Sequence, residues 1–146
     1  CGAFAVIRLC TYFLAYFCVA FCIRFSPRVG LCWTLALVLE RSLSGLAVAA
    51  FPMAKNTGLA HTFATAADRE SVQKILIVLS VLLAAALIAL GGGALVAAAL
   101  LVLWRYHHVA VKEFGGITGD LAGWFLQKAE FWMLAALAAS QWGGIL

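Results

Sequence analysis

The chain has 146 residues, of which 66% are hydrophobic and 11% charged. A soluble domain is typically about 45–50% apolar and about 25% charged, so this composition excludes an ordinary soluble globule, a disordered segment and a disulfide-rich module. The length accommodates about five membrane helices of roughly 20 residues each. The net charge of +4 comes from basic residues that form no run or stripe. They read as topology signals rather than as a nucleic-acid surface, and no nucleic-acid partner is expected.

In chain order, the apolar pattern predicts an all-α integral membrane protein, a single bundle of about five transmembrane helices over residues 3–23, 29–51, 75–90, 92–104 and 121–140. The first span carries Cys10, Cys18 and Cys22. With no CxxC motif and no neighbouring His, the cysteines read as small apolar residues of the bilayer. Pro27 closes the turn into the second span, which Glu40 and Arg41 interrupt at its centre. Gly91-Gly92-Gly93 divides the third and fourth spans; one continuous helix over both would reach about 45 Å, too long for a bilayer. Five spans place the N-terminus, the 52–74 loop and the 105–120 loop on one side, with Lys55, Arg69, Lys74, Arg105 and Lys112. Only Arg24 and Arg28 lie on the other, so the first side is expected to be cytoplasmic and the C-terminus on the far side. Trp104, Tyr106, Trp124 and Trp142 near the span ends fit an aromatic belt.

The candidate chemistry gathers on the cytoplasmic side. Gly115-Gly116-Ile117-Thr118-Gly119-Asp120 is a glycine-rich turn entering a helix. Its amides can approach a phosphate, Thr118 can cap the helix or touch that phosphate, and Asp120 suits a hard cation such as Mg2+. The same Gly115, Gly119 and Gly123 are spaced by four, which also serves close packing of membrane helices. Glu130 lies on nearly the same helix face as Gly119, Gly123 and Gln127, deep in the last span, where a carboxylate must face protein or water. Arg41 offers a bidentate match to a phosphate, with a buried structural pair as the alternative, and its neighbour Glu40 need not be its partner. The pair His107-His108 reads as interfacial, and His61 as a solvated loop residue.

The string from Gly115 to Gly123, with Glu130 beyond it, closely resembles the C-terminal signature of the cobalamin synthase (adenosylcobinamide-GDP ribazoletransferase) family, approximately GGxTGDxxGAxxExxE. Ala54-Lys55-Asn56-Thr57-Gly58-Leu59 is similar to that family's ARxxGL segment, with lysine in place of arginine. Glu40-Arg41-Ser42 and Gly2-Ala3-Phe4 also resemble family segments, and order and spacing agree along the chain. Trp124 and Gln127 depart from the pattern, and the family's aspartate-rich DGLADxxDG segment is absent from this sequence. The resemblance implies a C-terminal portion of such an enzyme, inactive by itself, in a bacterial or archaeal cytoplasmic membrane.

The activity so implied joins adenosylcobinamide-GDP to α-ribazole or its 5′-phosphate with release of GMP. By the same resemblance Asp120, Glu130 and Arg41 are the catalytic candidates. Lys55, Gly115, Gly116, Thr118 and Gly119 would bind substrate phosphate, and Asp120 would be a ligand of Mg2+, the implied cofactor. The implied partners are those two substrates and the lipid bilayer, with a second copy or other corrinoid-assembly enzymes as protein candidates. Two alternatives stand beside this reading: a CDP-alcohol phosphotransferase-like membrane enzyme, and a non-enzymatic transporter or structural helical bundle.

Overall fold

The computed structural model describes residues 2–54 and 69–146. Within them lie five helices: α1 (Gly2–Phe21), α2 (Pro27–Ala50), α3 (Arg69–Ala89), α4 (Gly93–Phe114) and α5 (Gly119–Trp142). The first four are long and apolar enough to cross a membrane. The fifth is diluted by Asp120, Gln127, Lys128 and Glu130. The protein is therefore an all-α, multi-pass membrane bundle.

Two helices run further than hydropathy predicts. α3 begins at Arg69, not near residue 75, and an i,i+4 contact between Lys74 Nζ and Glu70 Oε2 (3.6 Å) lies on its first turns. Arg69 and Gln73 donate side-chain hydrogen bonds to the Ala49 carbonyl, and Arg69 also reaches that of Phe51, so this polar start closes the end of α2. α4 continues past Trp104 to Phe114, because its polar residues are still helix formers and only Gly115, at φ 69°, ends it. This extension moves Trp104 to the middle of α4 and overturns part of the aromatic belt. Tyr106 is fully buried and stacks on Phe125 at 5.2 Å.

Small residues at the seams let the helices approach closely. Ala36 and Ala47 of α2, Ala99 and Ala110 of α4 and Ala129 of α5 are buried among Leu39, Leu43, Leu95, Phe125, Met133 and Leu137. α2 is joined to α3 by a polar tie in which the Ser42 and Ser80 hydroxyls lie 2.8 Å apart. α1 buries none of its residues and packs at the periphery, against α5.

Each end of the bundle is knitted by different means. At one end the reciprocal Arg24–Gln141 hydrogen bonds (3.0 and 2.8 Å) tie the α1–α2 turn to the last turns of α5. There too the Arg28 guanidinium forks onto the Leu90 carbonyl at 3.0 and 2.7 Å, a cation at the C-terminus of α3. At the opposite end, residues 52–54 pair with Ile117 in a short parallel bridge. The Ile117 amide donates to Pro52 O (2.8 Å) and the Ala54 amide to Ile117 O (3.0 Å). Gly116 makes this possible, since a Cβ there would lie 2.6 Å from backbone atoms of Pro52, Met53 and Ala54. This second end, the loop end, carries the glycine-rich turn.

Candidate functional site

The loop end presents a helix start whose hydrogen bonding sorts the glycine-rich turn into two parts. The amides of Gly115 and Gly116 donate to Val111 O (3.2 Å) and Ala110 O (2.9 Å), closing α4. These two amides, expected from the sequence to approach a phosphate, are hydrogen-bonded within the fold. Thr118 is the N-cap of α5, its Oγ1 accepting from the Leu121 amide at 3.3 Å. Just beyond it Gly119 and Asp120 are exposed, and nothing lies within 4 Å of where a Gly119 Cβ would stand. The open part of the turn is thus the first turn of α5, where backbone N–H groups and the helix dipole favour negative charge. Asp120 is the acidic residue of that turn.

The spacing of Gly115, Gly119 and Gly123 does not serve helix packing among the described residues. All three have open space around the Cβ position. Lys55, the other phosphate candidate of this end, and His61 lie outside the described residues.

A second polar group is built deeper in the bundle. Glu40 stands ten residues before the end of α2 and Glu130 eleven residues after the start of α5, so both lie about 15–17 Å below the loop end. Glu40 is fully buried, and neither carboxylate oxygen has a hydrogen-bond partner among the described residues. Among the described residues its one ionic contact is Arg41 Nε at 3.4 Å, so these sequence neighbours do meet across their diverging directions. The Arg41 side chain is 63% exposed and leaves its Nη atoms available. Arg41 and Glu130, together with Thr34, Leu37 and Val38, line a cavity of about 400 Å³.

Glu130 is held from the outside by α1. Tyr16 donates its hydroxyl to Glu130 Oε1 at 2.9 Å, and Tyr12 donates to the Gln127 carbonyl at 3.3 Å. These tyrosines were not among the residues singled out from the sequence. Their four-residue spacing, which puts both on one face of an apolar helix, is the signal that could have found them.

Arg41 and Glu130 are thus brought together, while Asp120 is not with them. Ten residues of helix separate Asp120 from Glu130, about 15 Å along the axis. Among the described residues no three His, Cys, Asp or Glu side chains converge as a metal-binding group. Asp120 fits Mg2+ as one carboxylate ligand, in the manner of sites that complete their shell with water and substrate phosphates. The two described histidines take no part in either group: His107 packs edge-on against Phe51 at 4.5 Å, and His108 stacks on Trp104 at 6.0 Å.

A family model described as CobS, cobalamin-5-phosphate synthase, matches residues 1–138. The chain belongs to that family. It is also 36% identical over 140 residues to a protein of Lachnoclostridium phytofermentans named adenosylcobinamide-GDP ribazoletransferase. The alignment covers 94% of this chain and 52% of that relative, so the chain spans about half the length of the curated relative it matches. No solved structure matches the chain significantly.

Proposed function

We propose that this chain forms part of an adenosylcobinamide-GDP ribazoletransferase, which joins the activated corrinoid to α-ribazole or its 5′-phosphate and releases GMP. The observation that carries this reading is family membership along residues 1–138, which includes both polar groups described above. The loop end is assigned to the cytoplasm because its basic residues outnumber those of the other end, and the cytoplasmic membrane follows from the family resemblance.

The reaction is phosphoryl transfer. A ribose hydroxyl of the ribazole attacks the corrinoid-side phosphorus of the pyrophosphate; a new P–O bond forms, the bridging P–O bond breaks and GMP departs. The hydroxyl proton passes to a base or to water. The chemistry asks chiefly for positioning and for compensation of charge on the phosphoryl oxygens.

In this scheme the first-turn amides at Gly119 and Asp120 hold one phosphate, and Lys55 is the sequence's further candidate for phosphate binding. The Thr118 hydroxyl, occupied as an acceptor by the Leu121 amide, keeps its proton to donate. The Asp120 carboxylate orients the attacking hydroxyl and would be the protein's ligand to Mg2+, which when bound offsets pyrophosphate charge. Deeper down, Arg41 binds an anionic group of the substrate, and Glu130, fixed by Tyr16, orients it. The separation of the two groups suits a corrinoid nucleotide that touches both at once.

Membranes containing the protein, incubated with adenosylcobinamide-GDP and α-ribazole 5′-phosphate, should release GMP in step with corrinoid consumption. Release of CMP from a CDP-alcohol in place of that reaction would instead support the phosphotransferase-like alternative.

A further inference from the structure

Charge is distributed along the five helices with a regularity that neither polar group explains. Each helix carries a basic residue toward its loop-end half: Arg8, Arg41, Lys74, Arg105 and Lys128. From there to the opposite end α1, α3 and α4 carry no charge, while α2 has Glu40 and Arg28 and α5 has Glu130. On an apolar helix the stem of a lysine or arginine can lie along hydrocarbon while its charged head reaches toward a polar group.

Two of these basic residues face one crevice. Arg105 is nine residues back from the end of α4, and Lys128 nine residues into α5. Both therefore sit about 14 Å below the connecting turn. They line a cavity of about 590 Å³ whose remaining wall is apolar and aromatic, including Ala98, Leu101, Trp124 and Trp132. Leu101 and Trp132 are largely exposed, so the crevice opens to the outside of the described bundle. Among the described residues neither cation has an acidic partner, since the ion pairs there are Arg41–Glu40 and Lys74–Glu70. Two cations without an acidic partner among the described residues, beside an apolar slot flanked by tryptophans, complement an anionic lipid in both charge and polarity.

We propose that the crevice between α4 and α5 binds an anionic phospholipid, its phosphate between Arg105 and Lys128 and an acyl chain in the slot below. The site lies apart from Arg41, Glu130 and Asp120, and its occupancy does not depend on the reaction assigned to the protein.

The test is native mass spectrometry of the purified protein in detergent with an equimolar mixture of phosphatidylglycerol and phosphatidylcholine. The expected result is selective retention of phosphatidylglycerol, reduced about 10- to 30-fold in the double variant Arg105→Gln, Lys128→Gln. Ala98→Phe, which narrows the apolar slot and keeps both charges, should also weaken retention. It decides the matter if the double variant does not fold. Lys112→Gln, outside the crevice, should behave as the parent. Equal retention of phosphatidylcholine, unchanged retention in the crevice variants, or an equal loss in Lys112→Gln would overturn the proposal. Displacement of the lipid by millimolar inorganic phosphate would overturn it too, by revealing a site for a free anion.

Discussion

Tyr16 and Glu130 are separated by 114 positions in sequence and joined by a 2.9 Å hydrogen bond, which ties the peripheral first helix to the polar face of the last. Since α1 buries none of its own residues, this bond and the Tyr12–Gln127 contact are its specific polar ties to α5. Hydrogen bonds to charged groups contribute more than neutral ones, about 1.5–3 kcal/mol. Tyr16→Phe is expected to lower stability by about 1–2 kcal/mol. Thermal unfolding in detergent would read this, and a melting temperature equal to that of the parent would show that the bond contributes nothing.

Gly116 tests the pairing of the loop end. A methyl group at this position meets three backbone atoms at 2.6 Å, and none of these is a flexible side-chain tip. Gly116→Ala should destabilise the protein by about 2 kcal/mol or more and expose the 52–54 segment to protease. Gly123→Ala, where the space is open, should change little. Equal behaviour of the two variants would contradict the close approach.

Thr118 provides a finer measurement on the same turn. Its side chain caps α5 through the Leu121 amide. Thr118→Ala should therefore cost about 1 kcal/mol, and Thr118→Ser should restore most of it. If serine fails to rescue stability, the hydroxyl is not acting as the cap.

Asp120 separates function from stability. It is exposed at the start of α5, so Asp120→Asn should leave thermal unfolding within about 0.5 kcal/mol of the parent. Under the proposed function the same change should reduce corrinoid-dependent GMP release by a factor of about 100 or more. Near-normal turnover would remove Asp120 from the reaction.

Glu40 makes the opposite pattern. A buried carboxylate without a hydrogen-bond partner is a burden on the fold. Glu40→Gln should raise stability by about 1 kcal/mol while loosening Arg41 and weakening binding of the anionic substrate. A measured loss of stability would show that the charge is needed for packing.

Much of the architecture can be read from the residues because its signals are local. Pro27 starts a helix, and Gly91, at φ 89°, reverses the chain between two apolar runs that no single helix could accommodate. Glu40, Arg41 and Glu130 stand out because charge is rare in such runs. The end of α4 is less legible: hydropathy reports where lipid contact stops, but a polar helix continues until a residue such as Gly115 takes a left-handed conformation. The fate of the Gly115 and Gly116 amides is hidden for another reason, since it depends on carbonyls of the preceding helix. Tyr12 and Tyr16 are hidden because tyrosine in an apolar helix resembles filler until its distant partner is known.

The backbone pairing of Pro52–Ala54 with Ile117 joins the described start of one connection to another that sequence would treat as a separate loop. Neither can be lengthened, grafted or exchanged with a relative's loop alone, because the new segment would lose its hydrogen-bonding counterpart. For protein engineering the unit of transfer is the pair, and chimeras that split it should misplace the start of α5 even when every helix is retained.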